Sequence, residues 1–175
     1  GKSLLSAPDS YCVIDIETTG LSPEFDSIIE ISALKFKDNK LVDKFSQLVK
    51  PDDFDESISE YGEYLDNFIS ELTGITDAMI SNAKSTREIL PDFLSFVGSN
   101  ILIGHNVNFD INFLYDNIQY YLNEFLVNDY IDTMRLSKRL LPDLSHHRLQ
   151  DLVNYFNLNY SGAHRAEKDC LLTAE

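Results

Sequence analysis

Tyr11-Cys12-Val13-Ile14-Asp15-Ile16-Glu17 is a run of β-formers that carries two carboxylates near its end. Bulky and β-branched side chains fit a pleated strand. Successive side chains on a strand point to opposite faces, so Asp15 and Glu17 share one face, roughly 7 Å apart along it. Carboxylates inside so apolar a run are costly unless they are paired or hold a metal, and no basic residue lies nearby in sequence. Thr18-Thr19-Gly20-Leu21 follows. It places hydroxyls, backbone donors and a flexible glycine at the strand's end, where a ligand's phosphate or sugar can be received.

Working outward, residues 27–37 read as a second strand and 41–49 as a third. The Lys37-Asp38-Asn39-Lys40 step between them has turn chemistry. Three strands with short links predict an antiparallel meander. The pattern then changes. Ile58, Tyr61, Leu65, Phe68, Ile69 and Leu72 recur at three- and four-residue steps, which predicts a helix that Gly74 ends. Further helices are predicted over 86–97, 108–122 (with Asn108 as N-cap), 133–141, 147–156 and 166–175. Short buried strands are expected at 101–103 and 130–132. Antiparallel strands first, then strands mixed with helices, predict an α/β fold with a mixed sheet.

A chain of 175 residues fits one domain, taken as 1–175. It stops at Glu175 inside a helical pattern with no C-cap, so we expect it to continue in the native protein or to be an excised domain. At 43% hydrophobic and 25% charged it has the composition of a soluble globular protein. No stretch reaches the roughly 18 apolar residues that span a bilayer, and the start lacks a signal-peptide run, so no membrane is involved and a cytoplasmic location is expected. Cys12 and Cys170 make neither a disulfide framework nor a zinc pattern and are expected to be buried thiols.

The net charge of −15 argues against holding long nucleic acid by bulk electrostatics. It does not exclude a nuclease, because a carboxylate metal site is itself acidic until its cations arrive. The charge is also uneven. Residues 51–83 carry nine Asp or Glu and no Lys or Arg, whereas Arg135, Lys138, Arg139, Arg148, Arg165 and Lys168 gather between 135 and 168. A basic side could face phosphates while the acidic side faces water.

Two further carboxylates stand out. Asp110 falls in the first turn of a helix, where the dipole favours an anion. His164 and Asp169 are five apart and would differ by about 140° around a helix. His164 is therefore expected on the loop before the helix and Asp169 inside it. A loop suits a base that must reach a water.

These segments together resemble a known family. DIETTGL at 15–21, GHNVNFD at 104–110 and HRAEKD at 164–169 are similar, in order and spacing, to the three exonuclease motifs of the DEDD superfamily in its histidine-containing (DEDDh) branch. LTGIT at 72–76, IDT at 131–133 and HRLQDL at 147–152 agree, so the likeness covers nearly the whole chain. It most resembles the proofreading epsilon subunit of bacterial DNA polymerase III and the exonuclease insert of Gram-positive replicative polymerases.

The resemblance implies a ribonuclease H-like fold, a five-stranded mixed sheet flanked by helices. It implies a 3′→5′ exonuclease that hydrolyses single-stranded or frayed DNA ends to 5′-mononucleotides, in proofreading or repair, with a replicative polymerase as a possible partner. Two Mg²⁺ or Mn²⁺ ions would be held by Asp15, Glu17, Asp110 and Asp169. Asp15 would bridge both ions, Glu17 and Asp169 would complete one site, and Asp110 would serve the other. His164 would take the proton from the attacking water. Thr18, Thr19, Gly20, Leu21, His105, Asn106 and Phe109 would contact substrate. Four converging carboxylates could not all ionise without cations, and hard oxygen ligands select such ions over zinc.

No feature here reads a 2′-OH, so RNA stays open as a substrate. The alternative of another class is a non-catalytic interaction domain that keeps the fold, which the intact Asp15, Glu17, Asp110, His164 and Asp169 oppose. The sequence sets no oligomeric state. Between Val49 and Leu72 the chain is longer than is usual for the family. That acidic segment includes Tyr61, Tyr64, Leu65 and Phe68. It lies away from the three motifs and bears on substrate access or partner docking.

Overall fold

The run around Asp15 forms a strand, β1 (Ser10–Thr18). It pairs antiparallel with β2 (Ile28–Lys37), which pairs antiparallel with β3 (Lys40–Lys50). This is the expected meander. Its second turn is made by Asp38 and Asn39 at φ 51° and 56°. A tight two-residue hairpin needs left-handed backbone at both central residues, which Asp and Asn tolerate. The computed structural model describes residues 1–6, 8–55, 57, 63–158 and 164–175.

After the meander come α1 (Asn67–Thr73), α2 (Asp77–Ser81), β4 (Lys84–Ser85), α3 (Thr86–Val97), β5 (Ile101–Gly104), α4 (Asn108–Leu122), β6 (Tyr130–Asp132), α5 (Thr133–Leu140), α6 (Leu149–Tyr155) and α7 (Ala166–Ala174). The sheet runs β4-β3-β2-β1-β5-β6, with β5 parallel to β1 and β6 parallel to β5. It is mixed, as expected, but has six strands instead of five. The extra one is β4, in which Lys84 and Ser85 pair with Val49 and Lys50. Two residues are too few to show a period in sequence.

The alternation of β1 divides the core. Cys12, Ile14 and Ile16 enter the larger cluster with Ile89, Leu90 and Phe93 of α3 and Phe113, Leu114 and Ile118 of α4. Tyr11 and Val13 face the other side, with Leu34, Ile103, Ile131 and Cys170 of α7. By the same parity Asp15 and Glu17 continue the α7 side beyond Val13. Both cysteines are free and buried. Among the described residues no helix is long and apolar enough to cross a membrane.

Two expectations need correction. The helix read over 58–72 is shorter, Asn67–Thr73, and Ile58 and Tyr61 lie outside the described residues. Asp66 caps the helix by accepting the Phe68 N–H at 2.7 Å. The Asp77 carboxylate takes the N–H groups of Tyr64 and Leu65 at 2.6 and 3.0 Å, so the chain before the cap is held out of helical geometry. Leu65 still buries its side chain, with Ile29, Ile75 and Ile80, but from a bent segment. Gly74 ends the helix at φ 71°, as expected. At α4, Val107 and not Asn108 is the cap residue, because Asn106 turns the chain at φ 60° and its carbonyl already accepts the Phe109 N–H at 3.0 Å.

The turn from β5 into α4 leaves no room at Gly104. A Cβ there would lie 2.6 Å from Cγ2 of Val107, whose side chain is buried, and 3.1 Å from the Ile14 carbonyl oxygen. Overpacking of this kind costs about 1–3 kcal/mol. Gly104→Ala should therefore lower the urea midpoint at unchanged slope. An unchanged midpoint would show that this turn yields freely.

Candidate active site

Along β1, β5 pairs only with Tyr11, Cys12 and Val13. Beyond Val13, β1 has lost its parallel neighbour, and the Ile16 N–H has no strand partner. Asp110, in the first turn of α4, takes its place: its Oδ1 accepts the Ile16 N–H at 3.0 Å, with the side chain buried. On the other side β1 stays paired to β2, with Glu17 directly opposite Glu30. The register slips by one residue between Glu17 and Thr18, which makes Ile29 the extra residue of a bulge. Bulges re-aim side chains next to functional sites.

α7 packs over β1 and β2 and carries Asp169 to this point. Asp15, Glu17 and Asp169 each bring one carboxylate oxygen to within 4.8 Å of the others. Oδ2 of Asp169 accepts the His164 N–H at 3.2 Å. Its Oδ1 is buried with no hydrogen-bond partner, the one such side-chain atom among the described residues. A buried oxygen without a protein partner is costly, and its chemistry fits a cation ligand. His164 sits on the loop before α7 at φ 65°, with its side chain exposed.

The electrostatics are those of an acid cluster that resists ionisation. Burial lifts Asp15 well above the usual carboxylate range, and Asp110, Glu17, Asp169 and Glu30 add to the lift. Burial, with help from Asp169, Glu30 and Asp110, pushes Glu17 up to about 8, although Arg165 pulls the other way. Burial also raises Asp110 to about 8, outweighing the hydrogen bond from Ile16. Asp169 is raised by burial and eased by His164. All-oxygen donors of this charge suit Mg²⁺ or Mn²⁺.

Beside Glu17 opens a cleft of about 610 Å³. Thr18, Thr19, Gly20, Leu21 and Phe109, read from the sequence as substrate contacts, line it on one side. The two hydroxyls serve the turn itself: Thr18 Oγ1 donates to the Gly20 carbonyl at 2.6 Å, and Thr19 Oγ1 accepts the Ser27 N–H at 2.9 Å. A Cβ on Gly20 would fall on the Asp26 carboxylate, which would have to move and give up the Ser22 N–H that it accepts at 2.8 Å. His105 and Asn106 are not among the walls. Both ring nitrogens of His105 are engaged, by Thr133 Oγ1 at 3.0 Å and the His147 carbonyl at 2.9 Å. The Asn106 N–H donates to Asp132 at 3.0 Å.

Sequence reasoning tied Phe68 to substrate access but set it away from the motifs; the structure places it, with Ile69 and Leu72 of α1, on the far wall of the cleft beside Glu17 and Thr18. Phe68 is 66% exposed. An aromatic standing on the solvent side of an acidic helix was the available signal. Sequence reasoning missed Glu30, whose place inside Ile28-Ile29-Glu30-Ile31 is as anomalous as that of Asp15.

Residues 12–175 match the exonuclease family. The chain is 38% identical, over 175 residues, to the PolC-type DNA polymerase III of Caldanaerobacter subterraneus subsp. tengcongensis, which takes in all of this chain but only 12% of that protein. It is 35% identical over 166 residues to the DNA polymerase III epsilon subunit of Aquifex aeolicus, covering 95% of this chain and 77% of that protein. Among solved structures, exonuclease X in complex with 5′ overhanging duplex DNA superposes with a TM-score of 0.72 at 27% identity, covering 94% of this chain and 86% of that one. The match runs from β1 through α7 and contains every carboxylate of the cluster, so the chain belongs to the exonuclease family.

Proposed function

We propose that this domain is a 3′→5′ exonuclease that removes mononucleotides from single-stranded or frayed DNA ends, with two Mg²⁺ or Mn²⁺ ions held by Asp15, Glu17, Asp110 and Asp169. The observation that carries the reading is the gathering of three carboxylate oxygens within 4.8 Å, one from a residue with an orphaned buried oxygen, beside an apolar-walled cleft. Bound there, divalent cations supply the charge against which a water is deprotonated and a 3′ oxygen leaves.

The chain's own groups do the rest. The terminal nucleotide lies in the cleft, its base against Leu21 and Phe109 on one side and Phe68 and Leu72 on the other. Apolar and aromatic walls accept any base, which gives little sequence preference. His164 takes a proton on its exposed imidazole. Its main-chain N–H holds Asp169, so base and ligand move together. DNA is favoured over RNA by the relatives, which are DNA polymerase components, and by the DNA-bound exonuclease X. The same relatives favour work at a polymerase in the cytoplasm. A direct comparison of DNA and RNA oligomers decides between those substrates.

Cleavage of a single-stranded DNA oligomer should need Mg²⁺ or Mn²⁺, stop when the 3′ end is blocked and continue when the 5′ end is blocked. Asp15→Asn should abolish it while leaving the fold intact. Full turnover in excess chelator, or digestion from the 5′ end, would sink this reading.

The metal-free domain should lose stability as pH rises. Folded-state values of about 8 for Glu17 and Asp110 stand above their ordinary 4.5 and 3.8. Between those limits the folded form binds protons that the unfolded chain has released, so this stability is full near pH 4 and is lost as pH rises through about 8. Thermal unfolding in chelator should show the decline, added Mn²⁺ should reverse it, and Asp110→Asn should flatten it. Parallel curves for wild type and Asp110→Asn would contradict the assignment.

His164→Ala should lower turnover by about 10²–10⁴-fold, the usual contribution of a general base, while Mn²⁺ affinity holds. The deficit should be smallest at alkaline pH, where hydroxide substitutes. pH–rate profiles of both proteins at saturating metal measure it. A mutant with the wild-type profile would remove His164 from the mechanism.

A further inference from the structure

Glu30 is among the most deeply buried charged groups described, 2% exposed, and lies directly across the β1–β2 ladder from Glu17. An acid buried beside another acid demands compensation. It receives three donor groups. Arg165 Nε lies 3.2 and 3.1 Å from Oε1 and Oε2, Arg165 Nη2 lies 2.6 Å from Oε1, and the Ala166 N–H lies 3.0 Å from Oε2. The guanidinium spans both oxygens, the fork geometry in which arginine differs from lysine.

The two residues that grip Glu30 are the N-cap and first residue of α7. They sit between His164 and Asp169 in the chain. Asp169 has little else to hold it, since Oδ2 takes only the His164 N–H and Oδ1 has no partner. Beside the packing of buried Ala166 and Cys170, the polar contact that ties the first turn of α7 to the sheet at this point is the one to Glu30 on β2, the strand beside the one that carries Asp15 and Glu17.

We propose that Arg165 is a positioning residue for the metal site: its fork on Glu30 clamps the start of α7 so that Asp169 and His164 are delivered to Asp15 and Glu17. The clamp rests on the metal-site reading above. It differs from a role in which the guanidinium, 41% exposed in its side chain, leaves Glu30 to hold a substrate phosphate. A clamp acts on metal affinity and turnover. A phosphate contact acts on substrate binding.

The test compares wild type with Arg165→Ala, Arg165→Lys, Glu30→Gln and the double variant Glu30→Gln/Arg165→Ala, with Asp15→Asn as a reference. Mn²⁺ binding is followed by electron paramagnetic resonance of the free ion, which needs no turnover. Cleavage of a single-stranded oligothymidylate gives kcat and KM. Residues that orient metal ligands typically contribute about 10–100-fold, so Arg165→Ala should weaken Mn²⁺ binding and lower kcat on that scale. KM should stay within about twofold of wild type, the mark of a lost transition-state effect without lost ground-state binding. Glu30→Gln should show a milder form of the same change. Arg165→Lys should recover part of it. The double variant should be no worse than Arg165→Ala, because the two residues act through one contact.

A raised KM with unchanged Mn²⁺ binding would overturn the clamp in favour of a phosphate contact. Wild-type Mn²⁺ binding and kcat in Arg165→Ala, or losses that add in the double variant, would overturn it outright. Should Arg165→Ala fail to fold, Arg165→Lys and Glu30→Gln decide: weaker Mn²⁺ binding at constant KM in both supports the clamp, and its absence in either refutes it. Full turnover by Asp15→Asn would remove the metal-site reading itself, and the clamp with it.

Discussion

The carboxylates of Asp15, Glu17, Asp110 and Asp169 converge on the end of β1, where burial makes each resist ionisation and neighbouring acids add to the effect at Asp15 and Glu17. Such a cluster pushes itself apart unless the fold holds every member from outside. Asp110 is held by the Ile16 N–H, and Asp169 by the His164 N–H. Glu30, a fifth acid in the same neighbourhood, is neutralised by Arg165. Backbone donors and one guanidinium thus fix the acids without filling the space between them. What is left over is negative charge and the unpartnered Oδ1 of Asp169. A divalent cation supplies what neither protonation nor a lysine could, several short oxygen contacts around one compact charge.

The architecture makes this convergence possible because β1 has unlike neighbours. On one side β2 follows it to the end, keeping Asp15 and Glu17 in a rigid ladder. On the other side β5 leaves after Val13, and the gap admits the N-terminal turn of α4. Gly104 and Asn106 turn the chain tightly enough to bring Asp110 back against β1. α7 then closes the α7 face from above. Strand, helix start and crossing helix each contribute a carboxylate, so the site exists only when the whole sheet is assembled.

Much of this was legible in the sequence where the signal was local. The meander followed from β-formers and the Asp38-Asn39 turn, and the shared face of Asp15 and Glu17 followed from strand parity alone. His164 on a loop and Asp169 in a helix followed from their spacing. What was not legible depended on distant partners. The helix read over 58–72 failed at its start because the side chain of Asp77 competes for the N–H groups of Tyr64 and Leu65, a contact no periodicity encodes. β4 exists only as a pairing with Val49 and Lys50. Asn108 looked like a cap, but the preceding left-handed Asn106 moved the helix start. Glu30 was conspicuous as a charge among isoleucines, yet Arg165, its partner, is 135 residues away in the chain.

A net charge of −15 opposes long-range attraction of a polyanion, whatever the local contacts of individual acids. Several acids near the cleft are spent on the protein's own donors. Asp52 accepts the Tyr121 hydroxyl at 2.8 Å, Asp53 the Tyr64 hydroxyl at 2.7 Å, and Asp66 and Asp77 bind backbone N–H groups around α1. Of the basic residues gathered between 135 and 168, Arg165 and Arg148 are paired with Glu30 and Asp151. The bonds from neutral donors order the acids without cancelling their charge, so the domain stays strongly acidic. Leu21 and Phe68, by contrast, stand 86% and 66% exposed on facing walls of the cleft. On the proposed reading, contact with a nucleotide is short-range: base against apolar wall, phosphate toward the carboxylate cluster. A strand end that has frayed from its partner offers an unstacked base to those walls, while a paired end must first give up its stacking. On that reading, discrimination for unpaired ends would need no sequence-reading group, and the acidity that would repel a long duplex would cost little to a domain that holds only the last residues of a strand.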